Sequence, residues 1–178
     1  MRWIWAGLAW ACAQSFQVRF LLEARQEAPF QLVLRTGERM LDLKGHLLSG
    51  KATAELSVPS SLTSPAEALL FVPGYLPLRL AEPVQVEEGV ILDFAQPQLL
   101  HRECGYVEKE GRAYMAAGEL GSLPGEPYPV INAYDYELFL RALATQDSLA
   151  DFNGDARVDV EDQKIILKNQ SLLLHTNL

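Results

Sequence analysis

The hydrophobic pattern changes its period once along the chain, and that change limits the fold more than any other feature. From Phe16 to about Leu100 apolar residues recur mostly at every second position, whereas beyond Val130 they recur at helical spacing. Period 2 fits strands with one buried face; period 3.6 fits helices with one buried stripe. A β-rich unit followed by a helical unit is therefore predicted, and 178 residues with 49% hydrophobic content suffice for a core in each.

The β-rich part reads as a run of short strands. "FQVRFL" alternates Phe16, Val18 and Phe20 against Gln17 and Arg19, and "FQLVLR" sets Phe30, Leu32 and Leu34 on one face. "ATAELSV", "ALLFV", "LPLRL", "PVQV" and "VILDF" follow, separated by turn signals at Thr36-Gly37, Ser49-Gly50, Pro73-Gly74 and Glu88-Gly89. About seven strands at this spacing predict an antiparallel β-sandwich of the immunoglobulin-like kind over residues 14–117. A further hairpin is expected around Lys109-Glu110-Gly111. "ELGSLPGEPYP" carries two Gly and three Pro and reads as a connection, so the domain boundary is placed after Ala117.

The helical part, residues 118–178, repeats itself. In "INAYDYELFLRAL" the residues Ile131, Tyr134, Leu138 and Phe139 form a stripe, with Asn132 as N-cap and Asp135 in the first turn. "VEDQKIILKNQSLLL" matches it at an offset of 27 residues: Val158 with Ile131, Asp159 with Asn132, Asp162 with Asp135, Ile165 with Leu138 and Ile166 with Phe139. Two helices that bury their stripes against each other are expected.

The loop before the second helix, "DFNGDARVDVED", crowds carboxylates that repel one another unless something offsets the charge. Counted from Asp151, oxygen-bearing side chains fall at positions 1, 3, 5, 9 and 12: Asp151, Asn153, Asp155, Asp159 and Asp162. That is the ligand order of an EF-hand calcium loop, in which position 7, here Arg157, contributes its main-chain oxygen. The loop has neither His nor Cys, so metals that favour nitrogen or sulfur do not fit, and the small octahedral shell of magnesium fits less well than that of calcium. Two positions depart from the pattern. Ala156 stands where Gly normally makes the sharp turn, at a cost of about 1 kcal/mol if φ there is positive. Asp162 is one methylene shorter than the usual Glu.

"DFNGDARVDVEDQKIILKN" and the duplicated "VINAYDYELFLRAL" together resemble the repeats of type I dockerin domains. The resemblance covers about a third of the chain, and the upstream "VPGYLPLRL" also resembles the β-sandwich that often precedes such a domain in exported bacterial proteins. It implies two calcium-loop and helix repeats in the tail. Counting back from Asp135 puts Pro124, Glu126 and Tyr128 at positions 1, 3 and 5, and Pro and Tyr supply no carboxylate. An enlarged first loop would start at Glu119, with Glu126, Asn132 and Asp135 contributing. One strong Ca2+ site and one degenerate site are expected. The resemblance also implies attachment to a cohesin module in an extracellular assembly linked to polysaccharide metabolism. Partner residues would be Ala133 and Tyr134 in one repeat and Val160 and Glu161 in the other. Their lack of Ser and Thr leaves a different module, or the β-domain of the same chain, as alternative partners.

Residues 1–13 look like an export signal: Arg2, an apolar run from Trp3 to Ala11, and the small residues Ala11-Cys12-Ala13 before Gln14. Cys12 admits a second reading as a lipid-anchor site. Beyond it no segment approaches the ~20 apolar residues of a membrane span. All three Trp lie in this leader, and Cys104 alone remains after it, so no internal disulfide is expected. The net charge of −8 argues against nucleic acid. A secreted or cell-surface location follows.

An enzyme is not expected. His46, His101 and His175 are widely separated, and no nucleophile elbow, zinc-protease or phosphate-loop motif occurs. His101 and Cys104 in "HREC" read as a surface His beside a semi-buried Cys. The alternative function is a carbohydrate-binding β-module with a structural calcium domain, for which Tyr75, Tyr106 and Tyr114 are the candidate stacking rings.

Overall fold

A computed structural model describes residues 13–59, 65–121 and 129–170. Residues 1–12 of the expected leader, Cys12 among them, lie outside the described residues, as does Glu126 of the first repeat. In chain order the strands are β1 (Ala13–Arg19), β2 (Ala28–Thr36), β3 (Arg39–Leu47), β4 (Thr53–Pro59), β5 (Glu67–Phe71), β6 (Gly74–Tyr75), β7 (Leu78–Arg79) and β8 (Ile91–Asp93). Then come β9 (Tyr106–Lys109), β10 (Arg112–Met115), β11 (Ala117–Glu119), α1 (Ala133–Thr145) and α2 (Val160–Asn169).

Two sheets carry the β-sandwich. One has the order β4-β1-β8 and the other β3-β2-β5-β7. The alternation seen in the sequence sets their inner faces. Phe16 and Val18 of β1, Phe30, Leu32 and Leu34 of β2, and Ala68 and Leu70 of β5 are all buried in one cluster. Phe20, just past β1, meets Phe30 edge-on with ring centroids 5.1 Å apart.

Three features differ from the expectation. The β1–β8 pair is parallel, so the sandwich is not wholly antiparallel. Strand β3, absent from the expected set, pairs along its whole length with β2; it is an edge strand whose Leu41 and Leu43 are only half-buried while Met40 is 71% exposed. "PVQV" forms no strand, only a bridge from Val84 to Ala66, and "LPLRL" shrinks to the two residues of β7. Pro77 and Pro83 lack the N–H a ladder needs. The β9–β10 hairpin does turn on Glu110 and Gly111, both at positive φ, as a two-residue loop requires.

The boundary placed after Ala117 falls inside β11, which pairs with β6. The buried cluster runs on without a break from Tyr75, Leu76 and Ala116 to Ile131, Phe139, Phe152 and Ile166. The helices do not simply bury their stripes in each other. Strand β11 packs against both helices, and at Gly118 an added Cβ would sit 3.1 Å from Ile166 of α2 and 3.2 Å from Ile131, just ahead of α1. Gly118 also has φ of +127°, a conformation that side chains other than glycine's rarely adopt. Among the described residues no helix is long and apolar enough to cross a membrane.

Gly118→Ala should therefore lower stability by about 2 kcal/mol, from backbone strain and overpacking together. Gly37→Ala, at φ +56° with nothing within 4 Å, isolates the backbone part and should cost about 1 kcal/mol. Urea melts of the two variants, read against the wild type, measure the difference.

Candidate functional site: the acidic loop and its seat

The two helices begin in the same way. Asn132 Oδ1 accepts from Tyr134 N at 2.7 Å while Asp135 Oδ2 accepts from Asn132 N at 2.9 Å. Asp159 Oδ1 accepts from Glu161 N at 2.8 Å while Asp162 Oδ2 accepts from Asp159 N at 3.0 Å. Each pair satisfies donors that a helix start leaves open. The second oxygen of each buried Asp then reaches back to the start of its loop. Asp162 Oδ1 accepts from Phe152 N and Asn153 N, at 2.7 and 3.1 Å. Asp135 Oδ1 accepts from Leu120 N and Gly121 N, at 2.8 and 3.2 Å.

The repeat is thus present atom for atom, but with loops of different length. Asp135 and Leu120 are fifteen residues apart, Asp162 and Phe152 ten. This puts Glu119, which precedes Leu120, where Asp151 stands before Phe152. It is the start that the enlarged first loop requires.

The acidic loop wraps around Asp151. Its Oδ1 accepts from Gly154 N and Asp155 N at 2.8 and 3.2 Å, and its Oδ2 from Ala156 N at 3.0 Å. Three consecutive N–H groups aimed at one carboxylate form an anion-holding nest. To aim them, Gly154 and Ala156 take φ of +76° and +67°. Position 6 therefore needs the left-handed backbone, and Ala156 bears the strain that the sequence raised as a condition. Asn153 Oδ1 accepts from Asp155 N, and Asp155 Oδ1 from Arg157 N, both at 2.9 Å. Gln146, at the C-terminal cap of α1, brackets Val158 by accepting from its N–H and donating to its carbonyl.

Of the sequence-predicted ligands, Asp151 and Asp162 are buried, Asn153 and Asp159 half-buried, and Asp155 and Arg157 exposed. Among the described residues no three His, Cys, Asp or Glu side chains converge as a ready metal cluster. The loop instead directs its carboxylates at its own backbone. A carboxylate has about four lone-pair sites, so an oxygen that accepts one N–H keeps capacity for a cation. Asp162 Oδ2 and Asp151 Oδ2 meet that condition, whereas Asp162 Oδ1 already accepts twice. Burial pushes the Asp162 carboxyl above its ordinary range, against the three backbone donors that favour its ionised form. The donor set is all oxygen, the ligand chemistry that a hard cation takes.

The loop also rests on the β-unit, through Arg25, which the sequence did not single out, and through Tyr75, which it offered only as a stacking ring. Arg25 donates to the main-chain oxygen of Asp151, and its stem lies 3.3 Å from where a Cβ on Gly154 would be. Tyr75 donates to the Phe152 carbonyl at 3.0 Å beneath the Arg25 guanidinium, whose centre lies 5.8 Å from the ring centroid. Tyr75 is 3% exposed, so it offers no platform for a sugar. Burial pushes its hydroxyl far up, partly countered by the Arg25 cation. Phe152 stacks on Phe139 with centroids 6.2 Å apart. Elsewhere Cys104 is half-buried, its Sγ accepts from Arg79 N at 3.1 Å, and burial pushes its thiol up, the opposite of what a nucleophile needs.

No protein-family model matches the chain, and no curated protein matches it. Solved structures that match in fold include a C-terminal and an N-terminal interface mutant of a type II cohesin–X-dockerin complex from Acetivibrio cellulolyticus. Each matches with a TM-score of 0.53 and 13% identity, over 88% of this chain and 94% of that chain. At this identity the likeness is one of fold.

The strain at position 6 has a direct test. Ala156→Gly should raise stability by about 1 kcal/mol, because glycine reaches that φ without steric cost. Denaturant melts in chelator measure it.

Proposed function

We propose that the chain is an exported attachment module, in which a β-sandwich carries a dockerin-like helical pair that docks a partner protein. The observation that carries this reading is the fold likeness to cohesin–X-dockerin complexes over nearly the whole of both chains. The outward faces of the helices support it. Val160 and Leu167 are 56% and 47% exposed, seven residues apart and so on one face of α2. Leu140 on α1, at the repeat position of Leu167, is 45% exposed, and Ala133, at the position of Val160, is exposed too. Apolar residues at matched outward positions of both helices suit a partner surface better than solvent. A cohesin-like module is the proposed partner, in an extracellular or cell-surface assembly that acts on polysaccharide.

The acidic loop is proposed to take one Ca2+ through Asp151, Asn153, Asp155, the Arg157 main-chain oxygen, Asp159 and Asp162. A cation neutralises the crowded carboxylates and ties the loop to the start of α2. At a thousandfold excess over its dissociation constant it adds ~4 kcal/mol of stability by mass action. The first repeat keeps its hub, Asp135, for fixing α1 on β11, and contributes no second strong site.

Calorimetric titration of the full chain should give one calcium site, lost in Asp151→Ala and Asp155→Ala. No binding heat, with the same melting temperature in EDTA and in millimolar calcium, would overturn the metal assignment. Two equally tight sites would overturn the reading of the first repeat.

Val160→Asp with Leu167→Asp should weaken capture of the chain by an immobilised type II cohesin about a hundredfold, since charged groups replace a buried apolar contact. Unchanged helical ellipticity shows that the face, not the fold, was lost. Equal capture of variant and wild type would move the partner site elsewhere.

A further inference from the structure

The connection between β1 and β2 holds the second repeat at both ends. Glu23, whose side chain is 4% exposed, accepts from Lys168 Nζ at 2.6 Å and from Asn169 Nδ2, on the last turn of α2. Asn169 is itself buried and also donates to the Ala117 carbonyl of β11 at 2.8 Å. Two residues on, Arg25 donates to the Asp151 carbonyl, at the first position of the acidic loop. One short segment of the β-unit thus grips the start of the loop and the end of its helix.

The grip bears on the loop's wrapped shape. On one side the peptides of Asp151 and Phe152 are held by Arg25 and Tyr75 through their carbonyls; on the other, Phe152 and Asn153 are held by Asp162 through their N–H groups. The backbone between them has little freedom left, and all of these bonds are made by protein groups. We propose that Glu23 and Arg25 are positioning residues that keep the second repeat seated on the β-unit with or without a cation, and that Arg25 presets the loop for its ion. The presetting rests on the calcium reading above; the seating does not. Two effects of Arg25 on a cation oppose each other. Its charge repels the ion, and its hydrogen bond removes conformational freedom that the empty loop would otherwise have to lose on binding. Calcium calorimetry on the Arg25 variants reads which of the two is the larger.

The test compares the wild-type full chain with Arg25→Met and Arg25→Lys, by amide hydrogen exchange in EDTA and by calcium calorimetry. In Arg25→Met the amides of Phe152, Gly154, Asp155 and Ala156 should exchange about tenfold faster while those of β1 and β2 keep their protection. The calcium dissociation constant should rise about tenfold, and Arg25→Lys should recover part of both losses. If Arg25→Met does not fold, Glu23→Gln replaces it, and should loosen the end of α2 before the β-strands. Equal loop protection in variant and wild type, or uniform loosening of the whole chain, would overturn the seating. A calcium affinity that is unchanged or tighter in Arg25→Met would overturn the presetting. A wild type that binds no calcium, with Arg25→Met still showing this exchange pattern, supports the seating and removes the calcium reading.

Discussion

Two buried aspartates organise the helical part of this protein. Asp135 and Asp162 are each fully buried, and each spends one oxygen on the cap of its helix and the other on the first peptides of its loop. A carboxylate so placed stands at the positive end of a helix dipole and answers donors that would otherwise be orphaned. Replacing either with an apolar residue would leave several buried N–H groups without a partner, which costs far more than the bonds themselves contribute. The start of each helix and the closure of each loop are pinned where these two side chains sit.

The same geometry explains why one loop resembles a cation site and the other does not, although both are closed alike. Closure needs only the hub and the backbone. Ligation needs further oxygens at alternate positions, and the second loop supplies them in Asp151, Asn153 and Asp155, while the first spreads its fifteen-residue span across Gly and Pro. Within the repeat the closing hydrogen bonds are shared, and the oxygen-bearing side chains at alternate positions are not.

Much of this was legible in local pattern. Asn132 and Asp159 as caps, Asp135 and Asp162 in the first turns, and the inner faces of β1, β2 and β5 come from interactions spanning a few residues or a fixed period. Strand β3 escaped notice because an edge strand has half-buried inward residues and tolerates a side chain like Met40 in solvent. The parallel partner of β1 escaped because nothing local marks strand direction. Glu23 and Arg25 carried no signal at all: their partners lie 126 to 146 residues away, and a charged pair in a connection looks like any solvated turn. Tyr75 drew attention as an aromatic ring beside a Pro-Gly turn, and only tertiary context shows that it is a buried donor rather than an exposed platform.

The packing of β11 against both helices has a consequence for how such a protein can be cut and recombined. Units that transplant freely into new hosts are joined where few contacts cross. Here the joint is itself a strand, paired to β6 and wedged at Gly118 between Ile131 and Ile166. A chimera that took only the helices would leave Phe139, Phe152 and Ile166 facing water, so the tail and its sandwich must be inherited together.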